Sequence, residues 1–180
     1  MLSSSVRRGT DIAGFIAGLF VGAGAVTFVL VVVGSVLRAP FPTVVLQILV
    51  ATAAVVFLLR ELDVLSFPLL QNARLVPQFV TRIPFWGAVQ FGAEMGTGMR
   101  TYSPTGLPHI MAISIMFLAS WEEALLAGAG FAAARALMLL TFAAARDRMA
   151  ADTAFSFTLP RLKVLFVVLA VPLVAMMVIG

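Results

Sequence analysis

Gln90-Phe91-Gly92-Ala93-Glu94-Met95-Gly96-Thr97-Gly98-Met99-Arg100-Thr101-Tyr102-Ser103-Pro104-Thr105-Gly106-Leu107-Pro108-His109 lies in the middle of an apolar stretch, residues 84–120. A spanning helix needs about 20 apolar residues, because a rise of ~1.5 Å each must cross ~30 Å of hydrocarbon. The stretch is too long for one ordinary span and short for two. Residues 96–109 are rich in glycine, proline and polar side chains. Pro104 and Pro108 each remove a backbone donor, and proline inside a helix costs about 3 kcal/mol or more. Gly96, Gly98 and Gly106 each weaken helix by roughly 1 kcal/mol relative to alanine. The segment therefore predicts a helix break. Lipid supplies no hydrogen bonds, so such a break must face protein or a water-filled cavity.

The composition around this segment excludes a soluble chain. Of the 180 residues, 62% are hydrophobic and only 11% charged, and the mean hydropathy is +1.09. Average soluble domains are roughly 45–50% apolar and about 25% charged. A soluble enzyme, a disordered tail and a nucleic-acid binder are excluded, although the net charge is +4 and the pI about 11.1. There is no cysteine, hence no disulfide, thiolate metal site or thiol relay. The expected class is an all-α polytopic helical bundle in the membrane, a single transmembrane domain over residues 1–180. Its expected spans cover residues 11–37, 43–59, 84–120 (broken or re-entrant), 121–145 and 162–179. Arg7 and Arg8 look like a signal-peptide n-region, but the apolar run behind them is too long, so it is read as a retained helix. Pro40 and Pro42 mark the turn before the second span, and Arg60, Glu61 and Asp63 close it. Residues 61–83 mix apolar residues with Pro68, Gln71, Asn72, Arg74 and Pro77, which reads as an interfacial segment.

The arginines decide how often residues 84–120 cross. Basic loops stay on the cytoplasmic side. With Arg7 and Arg8 inside, the second span returns Arg60, Arg74 and Arg82 to the inside. Two crossings by residues 84–120 would put Arg146, Arg148, Arg161 and Lys163 outside, against the rule. One net crossing keeps them inside and puts Glu122 and Glu123 outside. The expectation is five net crossings with the N-terminus inside.

Broken helices expose free N–H and C=O groups that transporters use as ligands. Ionisable residues at membrane depth are usually functional. The candidate substrate-binding residues are Glu94, Arg100, Thr101, Ser103, Thr105 and His109, around a break at Pro104, Gly106 and Pro108. The plainer alternative is an extracytoplasmic loop between two tilted helices, with these polar residues merely solvated. His109 is the only histidine, and no His/Asp/Glu cluster surrounds it, so a hydrogen-bonded structural role outweighs metal ligation. No metal, other cofactor or catalytic constellation is expected. Arg135 lies mid-helix, and an unpaired guanidinium there costs about 2.5–3.5 kcal/mol even on insertion scales. Glu94 is its expected partner, in a structural ion pair or a transport role. Glu122 and Glu123 stand at a helix start, where capping is expected. Gly14, Gly18 and Gly22 recur every four residues, which lets two helices approach closely. The approaching helix is inside the chain by default; a homodimer or a larger membrane protein is the alternative partner, beside the lipid bilayer itself.

The segment also resembles the transmembrane family of CcdA and DsbD, within the wider LysE-like transporters. That family carries a broken helix marked Pro-Cys-x-x-Pro, preceded by a Phe-Gly-rich stretch and followed by a helix of small residues. Here Pro104-Thr105-Gly106-Leu107-Pro108 has the proline spacing. Phe91-Gly92-Ala93-Glu94-Met95-Gly96 precedes it and Ala127-Gly128-Ala129-Gly130-Phe131 follows. The resemblance implies inside-to-outside passage of the broken helix and a bacterial cytoplasmic membrane. Thr105 stands where the family has cysteine, so the family's electron relay cannot run. The family's earlier broken helix is also missing from residues 11–37. Two functions follow as expectations: a carrier of a small ion or polar solute with its site at the break, or a non-catalytic subunit or assembly factor that has lost its thiols.

Overall fold

The computed structural model describes residues 9–69, 83, 85–98 and 105–144, the side chains of 142–144 excepted, with isolated positions at 153, 157, 158, 168, 171, 172 and 175. Five helices occupy this part: α1 (Gly9–Arg38), α2 (Thr43–Glu61), α3 (Trp86–Gly96), α4 (Leu107–Phe117) and α5 (Trp121–Ala144). No strand occurs among the described residues. Three helices are long and apolar enough to cross a membrane, namely α1, α2 and α5 over Trp121–Thr141, and α4 is a shorter apolar helix. Their outer faces are unpartnered. Only 17% of the most apolar part of α2 is buried, and Val36 and Leu126 are 70% and 72% exposed. Large side chains of this kind are stable in contact with lipid and not with water. The chain is a small membrane-embedded helical protein. The expected interfacial segment lies largely outside the described residues, and the expected last span over 162–179 does so apart from four isolated positions.

Local chemistry sets the helix ends. α1 stops at Arg38, a cation suited to the negative end of a helix dipole, before Ala39-Pro40-Phe41-Pro42 turns the chain into α2. α3 stops where Gly98 adopts φ +72°, a left-handed conformation that glycine takes without strain. α4 begins with Pro108 in its first turn, where a missing donor costs nothing. Residues 84–120 thus form two short helices separated by ten residues, 97–106, in place of one long helix. Before α5, the Ser120 N–H donates to Glu123 Oε2 at 2.7 Å and the Glu123 N–H donates to Ser120 Oγ at 3.3 Å. This reciprocal capping box is the role the sequence assigns to Glu123.

Contacts divide the chain into two compact units. The first comprises Met1–Thr27, Leu70–Tyr102 and Leu125–Arg148. Its core is Phe15, Leu19, Ala23, Ala88, Phe91, Ala132 and Ala136, with Phe15 and Phe91 rings 5.5 Å apart. The start of α1 and all of α3 run in the same direction here, Gly14 against Phe85, Gly18 against Val89 and Gly22 against Ala93. The contact is reciprocal, because Gly92 and Gly96 of α3 meet the backbone of Phe15 and Leu19. A Cβ at Gly18 or Gly22 would overlap a carbonyl oxygen of α3, and one at Gly92 or Gly96 a carbonyl oxygen of α1. The glycine face of α1 is therefore filled within the chain, the default expectation from its spacing. At the start of α3, Phe85 has φ +58° and its N–H donates to Asp11 Oδ1 at 2.9 Å.

The second unit comprises Phe28–Leu69, Ser103–Ala124 and Met149–Gly180. The end of α1 and α4 also run in the same direction: Gly34 lies against the Met116 backbone, and Arg38 Nη1 donates to the Ala119 carbonyl at 3.0 Å. α2 packs on α4, and its buried residues, Leu46, Val50, Ala54 and Glu61, form one stripe. The spacing of four, four and seven keeps these residues on one helical face. The last member of that face is an acid.

Candidate functional site at the start of the second half-helix

α2 continues two residues past its expected end at 59, so Arg60 and Glu61 belong to its last turn. Glu61 is turned toward the start of α4. The Glu61 side chain is completely buried, whereas that of Arg60 is 22% exposed. Glu61 Oε1 accepts the Gly106 N–H at 2.7 Å and Arg60 Nη1 at 3.0 Å. Glu61 Oε2 is also buried, and no hydrogen-bond donor among the described residues reaches it. Arg60 Nε donates to the Phe67 carbonyl at 2.9 Å, and its guanidinium lies 5.5 Å from the Phe67 ring centroid. Phe57 links the parts: its ring meets Phe67 edge-on at 5.7 Å and stacks on His109 at 5.5 Å. A Cβ at Gly106 would come within 2.6 Å of Phe57 Cδ1, so the absence of a side chain lets this backbone amide reach the carboxylate.

The electrostatics follow from these positions. A carboxylate at the C-terminal end of its own helix meets the negative end of that dipole, which is unfavourable. At the N-terminus of α4 it meets the positive end and a free N–H, which is favourable. Stripping a carboxylate of water costs several kcal/mol, and attraction repays this only when geometry is good and the remaining lone pairs are filled. Here one oxygen holds both donors, and the other holds none among the described residues. A buried acceptor left in this state costs about 1–3 kcal/mol. Ion pairing accounts for Oε1. Packing alone gives no reason for a buried, unfilled Oε2.

Of the sequence-predicted residues, Gly106 is the N-cap of α4, Pro108 and His109 are in its first turn, and Thr105 is half-buried beside Gly106. The structure brings Gly106 and His109 into the cluster around Glu61 and Phe57. Arg100, Thr101, Ser103 and Pro104 lie outside the described residues. Glu94 and Arg135 belong to the other unit. There Thr97 Oγ1 donates to the Glu94 carbonyl at 2.7 Å, and the Arg135 guanidinium lies 4.8 Å from the Phe131 ring centroid, a cation–π contact. Sequence reasoning missed Glu61 as a site residue, because a charge at the end of an apolar run reads as a boundary marker. The signal was the i, i+4 stripe of α2, which continues onto it.

No family model, curated protein or solved structure matches the chain.

Proposed function

We propose that this membrane protein is a carrier of a small ion or polar solute, with its site at the start of α4, the half-helix that follows the interruption. The observation that carries this reading is the buried Glu61 carboxylate, clasped to the first amide of α4 and holding one oxygen unfilled. Half-helix ends beside a buried charge are the usual form of a solute or ion site in a membrane. The arginine distribution supports one net crossing by residues 84–120 and an inside N-terminus. Thr105, next to Gly106, and His109, stacked on Phe57, are candidate solute contacts, with Arg100, Thr101 and Ser103 earlier in the sequence. The likeness to the CcdA and DsbD family supports the architecture and not a redox activity, since Thr105 replaces the cysteine.

Single cysteines at Thr101, Ser103 and Thr105 test the proposal in this cysteine-free chain. A small, membrane-impermeant thiol reagent added outside should label all three, with Thr105 slower than Thr101. Complete inertness would mean a dry kink, and the non-transporting subunit would then be the better reading. Equal, fast labelling would mean a surface loop and would favour the same alternative.

A further inference from the structure

We infer that Glu61 is a reversible proton-binding site, with the proton on Oε2 while Oε1 stays against the Gly106 amide. The inference rests on the carrier reading and names the ion. A carboxylic acid has one oxygen that only accepts hydrogen bonds and one that carries hydrogen. Glu61 is already divided in this way: Oε1 receives the Gly106 N–H and Arg60 Nη1, and Oε2 is buried and receives nothing from the described residues. A hard metal cation fits this place badly. The two groups bonded to the carboxylate, the Gly106 amide and Arg60, are N–H donors and cannot ligate a cation, and no three His, Cys, Asp or Glu side chains come together among the described residues.

The step balances simply. A proton from water adds to a lone pair of Oε2 and forms an O–H bond, and release reverses it. The Arg60–Glu61 pair passes from neutral to a charge of +1. Other titratable groups nearby are His109, which α4 brings against Phe57, and Asp63 on the exposed turn after α2. Uptake also loosens the clasp, because charge-assisted hydrogen bonds are roughly twice as strong as neutral ones. The bonds from Gly106 and Arg60 weaken when the carboxylate is neutralised. Proton occupancy is thereby coupled to the hold on the start of α4, where the break ends.

An apolar carbodiimide, which condenses with protonated carboxyl groups inside membranes, reads the site without any transport assay. The purified full-length chain in lipid vesicles is treated between pH 5.5 and 8.5, and the adduct is located by peptide mass spectrometry. The expected result is an adduct on Glu61 that forms several-fold faster at pH 5.5 than at 8.5, is unchanged by sodium at fixed pH, and is missing in Glu61→Gln. If that variant does not fold, the wild-type peptide map decides alone. No adduct on Glu61, a rate independent of pH, or suppression by sodium would each overturn the proposal. The carrier reading fails separately: labelled Glu61 with inert cysteines at Thr101, Ser103 and Thr105 keeps the proton site and removes the solute path, and the converse removes the proton site alone.

Discussion

The two units solve the same problem with opposite chemistry. Each holds a short half-helix against α1, and each half-helix begins at an amide bonded to a carboxylate from another helix. In the first unit α1 and α3 meet backbone to backbone along Gly14, Gly18, Gly22, Gly92 and Gly96, and the carboxylate, Asp11, is not fully buried. In the second unit α2 and α4 meet through larger side chains, and the carboxylate, Glu61, is sealed. A glycine seam gains dispersion contact and needs no polar group. A sealed carboxylate imposes a desolvation cost that a purely structural clasp would avoid by staying near solvent, as Asp11 does. The difference separates two kinds of construction: the first unit is built for close packing, and the second carries a costly group that packing does not require.

Breaking the seam should give the largest effect. Gly18→Val with Gly22→Val forces two side chains into the α3 backbone, where neither helix can yield cheaply. Overpacking costs typically 1–3 kcal/mol per site, and more against backbone, so the double variant should fail to give monodisperse protein in detergent. Gly24→Val is the control: nothing lies within 4 Å of a Cβ there, and its melting temperature should match the wild type.

Next comes the sealed clasp. Glu61→Ala leaves the Gly106 amide and Arg60 Nη1 without the carboxylate they share, and removing one partner of a buried pair costs about 3–5 kcal/mol. Asp11→Ala, at the half-buried clasp, should cost only about 1 kcal/mol, the ordinary worth of a helix-start cap. Thermal unfolding of the two variants side by side measures the contrast, and equal losses would erase it.

A smaller effect tests the proposed pairing of Arg135 with Glu94 in the first unit. Alanine at each position should lower the melting temperature. The double variant should lose less than the sum, by about 1–2 kcal/mol of coupling for neighbours in one network. Additive losses would leave the Phe131 ring as the main support of the guanidinium.

Much of this architecture was legible in the residues. Runs of about 20 apolar residues mark α1, α2 and α5, because bilayer thickness imposes that length. Pro104, Pro108 and the glycines mark the interruption, because they remove donors and weaken helix. The small-residue face of α1 was legible too, but its partner was not. Gly92 and Gly96 carry the same spacing on α3, and matching the two faces would have paired the helices. Glu61 stayed hidden for a different reason. One-dimensional hydropathy ends a span at its first charges, whereas burial follows the helical face, and the face of Leu46, Val50 and Ala54 reaches Glu61 about two turns after Ala54.

The central claim is that residues 84–120, interrupted as they are, cross the membrane once. Glu122, exposed at the start of α5, measures this directly as a single cysteine in intact cells, paired with a cytoplasmic reporter fused at Ala151. The account predicts that Glu122→Cys reacts with an impermeant thiol reagent from outside while the Ala151 reporter is active inside. Protection of Glu122→Cys until the cells are opened, together with an external Ala151, would mean that the segment crosses twice, and would contradict the account.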